Sequence, residues 1–299
     1  MAAAGVQQRE LGPDGSPSQA DSNFSFVHGD FAVTVISDGF ITVPIEIVAP
    51  EASPDQRAEI LRRTGHQSSG LVDSKTNIPV IKKGDDLIIV DIGSGDKYQP
   101  SDGRLSANLL ASGIDADAIT KVVFTHAHPD HVWGTLAPGG SLRFPNATYF
   151  VGAAEWDYWM DPDYLNSMPS ELHEFARGAQ RDLGAIKDRV VMVKPGDDIV
   201  TGLRVIDTAG HTPGHISLEV TGGDGLIISA DAATNEIYSF QHPKAKFGYD
   251  TIPELAIRNR ARLIDRAASD RTKLLGYHWT YPGIGFAERR GDGYRYVPA

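Results

Sequence analysis

Apolar runs of four to nine residues recur along the chain, and polar or glycine-containing segments separate them. Runs of this length that are rich in valine and isoleucine are typical of β-strands. In the first half they predict strands over residues 31–36, 40–48, 78–81, 87–90, 119–124 and 148–151. In the second half they predict strands over residues 190–193, 203–208, 216–220, 226–229, 273–276 and 294–297. Ser37-Asp38-Gly39 predicts a turn between the first two strands.

Longer stretches between these runs show the spacing of apolar residues that amphipathic helices have. They predict helices over residues 55–64, 105–112, 153–160, 170–183 and 252–267. Asp55 is a candidate N-cap for the first of them, and Gly113 is a candidate end signal for the second. Because strand-rich blocks alternate with helices, the sequence predicts an α/β fold in which two sheets are sandwiched between helices.

The segment with the most chemical information is Thr125-His126-Ala127-His128-Pro129-Asp130-His131, directly after the predicted strand 119–124. It places three imidazoles and one carboxylate within six positions, and both groups are ligands for zinc and its neighbours. A strand end followed by a proline-containing loop can direct such side chains towards one point. A His-rich surface loop without a function is the competing interpretation, but it does not account for the ligand types downstream.

Three more potential ligands, His211, Asp231 and His278, each follow a strand-like run. Two metal sites can be assembled from the candidates, with His126, His128, His211 and Asp231 in one and Asp130, His131, Asp231 and His278 in the other. Asp231 suits the shared position because a carboxylate has two oxygens and can bridge two cations. The other histidines without such neighbours are interpreted as surface or structural residues: His28, His66, His173 and His242.

Composition narrows the classes of function. The chain of 299 residues carries a formal net charge of -11, which argues against DNA or RNA as a partner. It has no cysteine, so thiolate metal ligands, thiolate nucleophiles and disulfides are excluded. No apolar run is long enough to span a membrane.

The N-terminal residues 1–23 are rich in small and polar residues and lack the basic and apolar regions of a signal peptide. They are predicted to be a disordered leader, and residues 24–299 are predicted to form a single domain. The predicted location is the cytoplasm, while a periplasmic or secreted location stays open if an export signal has been removed.

The combined motifs resemble the metallo-β-lactamase superfamily. They are His126-Ala127-His128-Pro129-Asp130-His131, Gly210-His211-Thr212-Pro213-Gly214-His215, Asp231 and His278. The match runs from about Phe31 to the C-terminus. The resemblance implies the αββα four-layer sandwich and a dinuclear centre that is held by all seven ligands. Zinc is the default for the two divalent ions, and manganese, cobalt or iron are alternatives.

Within the superfamily the chain is most similar to the methyl parathion hydrolase group. The segments that carry this narrower resemblance are Ile36-Ser37-Asp38-Gly39, Gly103-Arg104-Leu105-Ser106-Ala107-Asn108-Leu109, Phe144-Pro145-Asn146-Ala147, Tyr281-Pro282-Gly283-Ile284-Gly285 and Gly293-Tyr294-Arg295-Tyr296-Val297-Pro298. Trp133 departs from the pattern, because many relatives have glycine there. A large ring at this position could narrow or reshape the pocket.

The ligand set implies a hydrolase in which a hydroxide bridging two metals, about 3.5–4 Å apart, attacks a small ester-like substrate. Lactones, aryl esters and organophosphate triesters are the candidate substrates. Asp130 is expected to accept or relay a proton as well as bind metal, and His215 is expected to support the ligands from behind. The candidates for lining the substrate pocket are Tyr98, Trp133, Trp159 and Phe175. A homodimer is expected, since relatives in this group are often dimers.

A mononuclear iron dioxygenase acting on a thiol or persulfide is the alternative from another reaction class, because it can keep the His126 and His128 pattern. Such an enzyme would leave the second group of ligands idle, whereas all seven ligands are present here. Other branches of the superfamily fit less well. True β-lactamases use a cysteine ligand or lack a bridging carboxylate, and flavodiiron proteins have glutamate in place of His128.

Overall fold

Two seven-stranded sheets are formed by the residues that the computed structural model describes, which are 23–64, 68–167 and 169–299. The N-terminal sheet contains, in spatial and chain order, β1 (Asn23–His28), β2 (Phe31–Pro44), β3 (Leu71–Lys83), β4 (Asp86–Val90), β5 (Lys121–Phe124), β6 (Thr148–Gly152) and β7 (Val190–Val193). The C-terminal sheet contains β8 (Asp198–Val200), β9 (Leu203–Asp207), β10 (Ile216–Val220), β11 (Leu226–Ile228), β12 (Lys273–Leu275), β13 (Ile284–Arg290) and β14 (Gly293–Pro298). The predicted leader, except for Asn23, and His66 lie outside the described residues.

Both sheets are mixed. The pairs β4–β5, β5–β6, β6–β7 and β11–β12 are parallel, while the other pairs are antiparallel. The helices are α1 (Ile45–Val48), α2 (Pro54–Thr64), α3 (Leu105–Ala111), α4 (Pro129–Val132), α5 (Ala153–Trp159), α6 (Tyr164–Ser167), α7 (His173–Ala185), α8 (Tyr238–Gln241) and α9 (Pro253–Asp270). No helix in these described ranges is long and apolar enough to cross a membrane.

Three apolar clusters show how the layers stack. The cluster between the sheets combines residues of both, such as Val33 and Ile88 with Leu218 and Ile228. A second cluster packs α3 and α7 on the outer face of the N-terminal sheet, and a third packs α9 on the outer face of the C-terminal sheet. Each sheet thus buries both faces, which confirms the predicted four-layer αββα sandwich.

The predicted turn at Ser37-Asp38-Gly39 is wrong, because β2 continues through it and changes register between Ser37 and Gly39. This is a β-bulge, in which one extra residue bends a strand without ending it. Gly39 has a φ of 116°, and a side chain there would collide with the carbonyl oxygen of Ser101. The turn-like residues therefore serve a bulge, and the predicted strand 40–48 ends earlier, where α1 begins.

Three strands were not predicted from the sequence, namely β1, β8 and β13. β3 also begins at Leu71, before the predicted start at residue 78, because its first residues alternate between buried and half-buried positions. Such a pattern lacks the continuous apolar run on which the prediction relied. These differences leave the strand ends that carry the candidate ligands unchanged.

Candidate metal centre

The first ligand segment follows β5 and is anchored to the neighbouring parallel strand β4. The carboxylate of Asp91, directly after β4, accepts hydrogen bonds from the backbone N–H of Thr125 at 2.8 Å and from its hydroxyl at 2.7 Å. α4 then begins at Pro129, a position where proline costs no helical hydrogen bond. His126 and His128 lie between Thr125, which Asp91 holds, and the start of α4 at Pro129.

One group of candidate ligands consists of imidazoles alone, and we refer to it as the first group: His126, His128 and His211. The Nδ1 atom of His128 lies 2.9 Å from Nε2 of His126 and 2.9 Å from Nε2 of His211. Nδ1 of His211 lies 3.2 Å from the carboxylate oxygen Oδ1 of Asp250 and can donate its hydrogen there. Nε2 of His211 then carries a lone pair that points at the other two rings, which is the arrangement of a cation site.

The second group contains carboxylates as well: Asp130, His131, Asp231 and His278. Nε2 of His278 lies 3.3 Å from Oδ2 of Asp130 and 3.2 Å from Oδ2 of Asp231. The same Oδ2 of Asp231 is 3.4 Å from Nε2 of His211 in the first group. Oδ2 of Asp231 therefore lies next to imidazoles of both groups, the position that a shared ligand would need.

Three buried atoms in the second group have no hydrogen-bond partner: Oδ2 of Asp130, Nε2 of His131 and Oδ1 of Asp231. Buried polar groups are almost always paired, so three unpaired atoms at one place require an explanation. Nε2 of His131 is 3.6 Å from the unpaired oxygen of Asp130 and 3.5 Å from that of Asp231. A divalent cation would satisfy all three, and the nitrogen and oxygen donors fit zinc and similar metals.

In each histidine of the second group, the ring nitrogen that faces away from the other ligands has a partner that fixes the tautomer. Nδ1 of His131 donates to Oδ2 of Asp91 at 2.8 Å, and Nδ1 of His278 donates to the carbonyl oxygen of Lys75 at 2.8 Å. The ring of Tyr277 also stacks on His131 with a centroid distance of 4.0 Å, and its hydroxyl donates to the carbonyl oxygen of Asp130. Partners of this kind orient metal ligands and raise their basicity.

The protonation states of His126, His128 and Asp231 also suit metal binding. Burial lowers the pKa of His126 and His128 well below the usual value for histidine, so both rings are neutral at physiological pH. Burial acts to raise the pKa of Asp231, but His278 and His131 outweigh it and hold this pKa well below its usual value. Neutral imidazoles and an ionised carboxylate are the forms that bind divalent metals.

His215 lies behind Asp231 and is fully buried. Its Nε2 accepts the backbone N–H of Asp231 at 3.2 Å, and its Nδ1 then donates to the hydroxyl of Thr208 at 2.9 Å. The chain continues to Ser217 and ends at the carbonyl oxygen of Ser229. Burial lowers the pKa of His215 to about 3, which keeps the ring neutral.

A pocket of about 490 Å³, open solvent included, reaches both ligand groups. Tyr98 and Phe175 line it, as expected, and its other apolar lining residues are Ile41, Val43, Val48, Phe247 and Tyr249. An adjoining pocket of about 610 Å³ shares His128, Phe175 and Tyr249 with it and is lined by Trp159.

Trp133 lies one layer behind this pocket. Its ring packs against Gly178 of α7 and makes edge contacts with Tyr98 and Phe175, at centroid distances of 5.7 and 6.3 Å. Only 3% of the residue is exposed, and it does not line the pocket over the ligand groups. The structure therefore corrects the expected direct role of Trp133 in narrowing the pocket, since the ring supports two residues that form the wall.

Sequence reasoning missed the residues that support the ligands. Asp91 had a detectable signal, because a carboxylate directly after a buried strand resembles the positions of the predicted ligands. Asp250 and the buried Glu155 had none, since their partners are distant in sequence. Among the described residues, His28, His173 and His242 belong to neither ligand group.

Comparison with known proteins gives a consistent picture. The family model described as the metallo-beta-lactamase superfamily matches residues 72–278. The N-acyl homoserine lactonase AttM of Agrobacterium fabrum (strain C58) is 31% identical over 149 residues, which cover 46% of this chain and 49% of AttM. The match thus spans about half the length of this curated relative.

Two solved structures are similar over nearly the whole chain. AidC, a dizinc quorum-quenching lactonase in complex with a product, has a TM-score of 0.85 and 26% identity, covering 93% of this chain and 98% of AidC. The hydrolase AbOPH of the beta-lactamase superfamily has a TM-score of 0.84 and 28% identity, covering 93% of this chain and 97% of AbOPH. The four-layer architecture described above is common to these proteins.

Proposed function

Because the chain belongs to the metallo-β-lactamase superfamily, we propose that it is a two-metal hydrolase that opens small, neutral lactones. The observation that carries the proposal is the position of Asp231 between two groups of candidate ligands at the base of an apolar pocket. Asp231 and the three histidines of the first group would hold one ion. Asp130, His131, Asp231 and His278 would hold the other, with zinc as the default metal.

Metal ions in these positions would supply a water of lowered pKa as nucleophile and positive charge for the oxygen that becomes negative during hydrolysis. The residues of the chain would do the rest. Asp130 lines the pocket, and its carboxylate would take the proton of the attacking water and return it to the leaving alkoxide. Tyr277 holds the backbone of Asp130 in place for this transfer.

The pocket supports a neutral substrate. Among the described residues that line the two adjoining pockets, none is a lysine or arginine that could pair with an anionic substrate. The walls are aliphatic and aromatic side chains, which favour an apolar acyl or ring group. The lactonase names of AttM and AidC agree with a lactone as the substrate class. Aryl esters and organophosphate triesters are also neutral, so they remain candidates, as does the narrower resemblance to the methyl parathion hydrolase group.

The iron dioxygenase is not favoured. A mononuclear iron centre would need only the first group and Asp231, whereas the second group is fully assembled with buried atoms that lack partners. Those unpaired atoms would cost free energy if no second cation bound there.

The test is metal content per chain together with hydrolysis of an acylated homoserine lactone, p-nitrophenyl acetate and a p-nitrophenyl phosphotriester. We expect two equivalents of zinc or a similar ion and fastest turnover of the lactone, followed as the acid released on ring opening. p-Nitrophenyl phosphate, an anionic ester, serves as the negative control. One equivalent of iron, with oxygen consumption on a thiol and no hydrolysis, would overturn the proposal.

A further inference from the structure

Glu155 of α5 is a buried carboxylate that belongs to neither ligand group. Its Oε1 accepts the backbone N–H of Ala127 at 2.8 Å and the indole N–H of Trp159 at 2.6 Å. Its Oε2 accepts the hydroxyl of Thr212 at 2.6 Å and the backbone N–H of Gly214 at 3.1 Å. One carboxylate thus satisfies four donors, and three of these belong to the loops that carry the first ligand group.

Those loops extend from different sheets. Ala127 lies between His126 and His128, in the segment that follows β5 of the N-terminal sheet. Thr212 follows His211 directly, in the loop between β9 and β10 of the C-terminal sheet. Nδ1 of His128 and Nε2 of His211 meet at 2.9 Å only if these two loops keep their relative position. Glu155 binds both loops at once and therefore connects the two sheets beside this group.

The contact between α5 and the second loop is tight. Gly214 lies so close to α5 that a side chain there would collide with the backbone nitrogen of Glu155. The indole of Trp159, held by Oε1 of Glu155, lies with its centroid 5.8 Å from that of His128. Any loosening at Glu155 would therefore be transmitted to both sides of the first group.

The four donors require an acceptor at both oxygens. Burial raises the pKa of Glu155, and the hydrogen bonds from Thr212 and Ala127 act against this rise. Glutamine has nearly the same shape, but its amide group would point two hydrogens at donors on one side. This substitution therefore breaks the tether on one side, and so separates the two loops, with little change in the packed volume.

We propose that Glu155 is a positioning residue that holds the two loops of the first ligand group together and thereby sets the affinity of this group for its metal ion. The proposal rests on the two-metal part of the proposed function. The second group should depend on Glu155 much less, since Asp91, Tyr277 and the carbonyl oxygen of Lys75 support it from other elements. Loss of the tether should thus weaken one of two metal-binding steps.

The test compares the wild type with E155Q and with D182N as a matched control. Asp182 is an equally buried carboxylate, but it lies in α7 and pairs with Arg181. Each protein is stripped with a chelator, checked for folding by circular dichroism, and titrated with Zn²⁺ and with Co²⁺. We expect E155Q to fold and to bind one of two equivalents about 10- to 100-fold more weakly, with an altered Co²⁺ absorption band. D182N should retain both affinities and the band.

The proposal would be overturned if E155Q bound both ions with wild-type affinity, kept the Co²⁺ band and differed from the wild type only in a lower unfolding temperature. If E155Q does not fold, T212V removes one of the four donors and should weaken the same binding step by a few fold. An unchanged step in T212V would then overturn it. A wild type that binds two ions but opens no lactone would refute the proposed substrate and leave the role of Glu155 standing. A wild type that binds no divalent ion would refute both.

Discussion

The two ligand groups of the metal centre differ in charge. The first group has three imidazoles, and burial keeps His126 and His128 neutral. The second group adds the carboxylates of Asp130 and Asp231, and three of its buried atoms have no partner. Without a cation, the first group is only a set of neighbouring lone pairs, whereas the second is a buried cluster in which His131 and His278 face the carboxylates of Asp130 and Asp231.

The groups also differ in how they are held. The first is assembled across the two sheets and depends on Glu155, which contacts the loops from both. The second group also takes ligands from both sheets, but its own neighbours hold it: Asp91 bonds His131, and Tyr277, directly before His278, bonds the carbonyl oxygen of Asp130. The first group thus relies on Glu155, which lies outside both ligand loops, to join the two sheets, whereas residues next to the ligands themselves join the second group.

Removal of Asp231 should have the largest effect, because its carboxylate contacts ligands of both groups. The variant therefore tests whether the two groups are joined. D231A should lose both ions or most of their occupancy, and activity should fall by more than about a thousandfold, since each ion contributes several kcal/mol. Metal analysis and lactone turnover are the measurements. Full activity with two bound ions would show that Asp231 does not bridge.

Removal of the partner of His131 should weaken the second group more than the first, because Asp91 bonds a ligand ring of the second group and reaches the first only through Thr125. In D91N the amide keeps the shape of the carboxylate but cannot accept all three hydrogen bonds from His131 and Thr125. The affinity for one ion should fall about 10- to 100-fold. If D91N and E155Q weakened the same metal-binding step, the two groups would not be supported independently.

Removal of His215 should have a smaller effect on both groups, because it acts on the backbone of the shared Asp231. H215A leaves the N–H of Asp231 without its acceptor and removes one of the two partners of the Thr208 hydroxyl, which keeps Ser217. We expect a folded protein that keeps both ions and whose activity falls about tenfold. This is the lower end of the loss in activity that is usual when a residue supporting a metal ligand is removed. Complete loss of metal would instead identify His215 as a ligand.

The smallest effect concerns stability on the carboxylate-rich side. Asp38 and Asp102 are buried against one another, and burial together with Asp130 raises the pKa of Asp102 from 3.8 to about 6. A carboxyl whose pKa is raised by folding gives stability that is present in full below about pH 4 and is lost as the pH rises through about 6.

D102N removes this titration, because an asparagine amide can donate to Asp38 at any pH. Relative to the wild type, its unfolding temperature should rise by roughly 2–4 °C at pH 8 and change little at pH 4, as expected for about 1 kcal/mol. Thermal unfolding of both proteins without bound metal at the two pH values is the measurement, because a cation at Asp130 would oppose the rise in the pKa of Asp102. If the unfolding temperatures of D102N and the wild type differed equally at pH 4 and pH 8, the ionisation of the Asp38–Asp102 pair would not affect stability.

Much of the centre could be predicted because ligand chemistry is local. The spacing of His126, His128, Asp130 and His131 is visible in six residues, and the strand ends that carry His211, Asp231 and His278 follow from apolar runs. The pocket was predicted less well. Tyr98 and Phe175 line it, but Trp133 lies behind them and packs against α7. Whether an aromatic ring reaches the pocket depends on this packing, which the sequence does not show.

The sequence by itself determined which residue types bind metal, the alternation of strands and helices, and the four-layer architecture. Only the tertiary structure decided how the ligands are held. Glu155 meets Ala127 and Gly214 across 28 and 59 residues of chain, and Asp91 meets His131 across 40. The physical reason is that a ligand's chemistry resides in its own side chain, whereas hydrogen bonds between distant loops exist only after the two sheets have packed face to face.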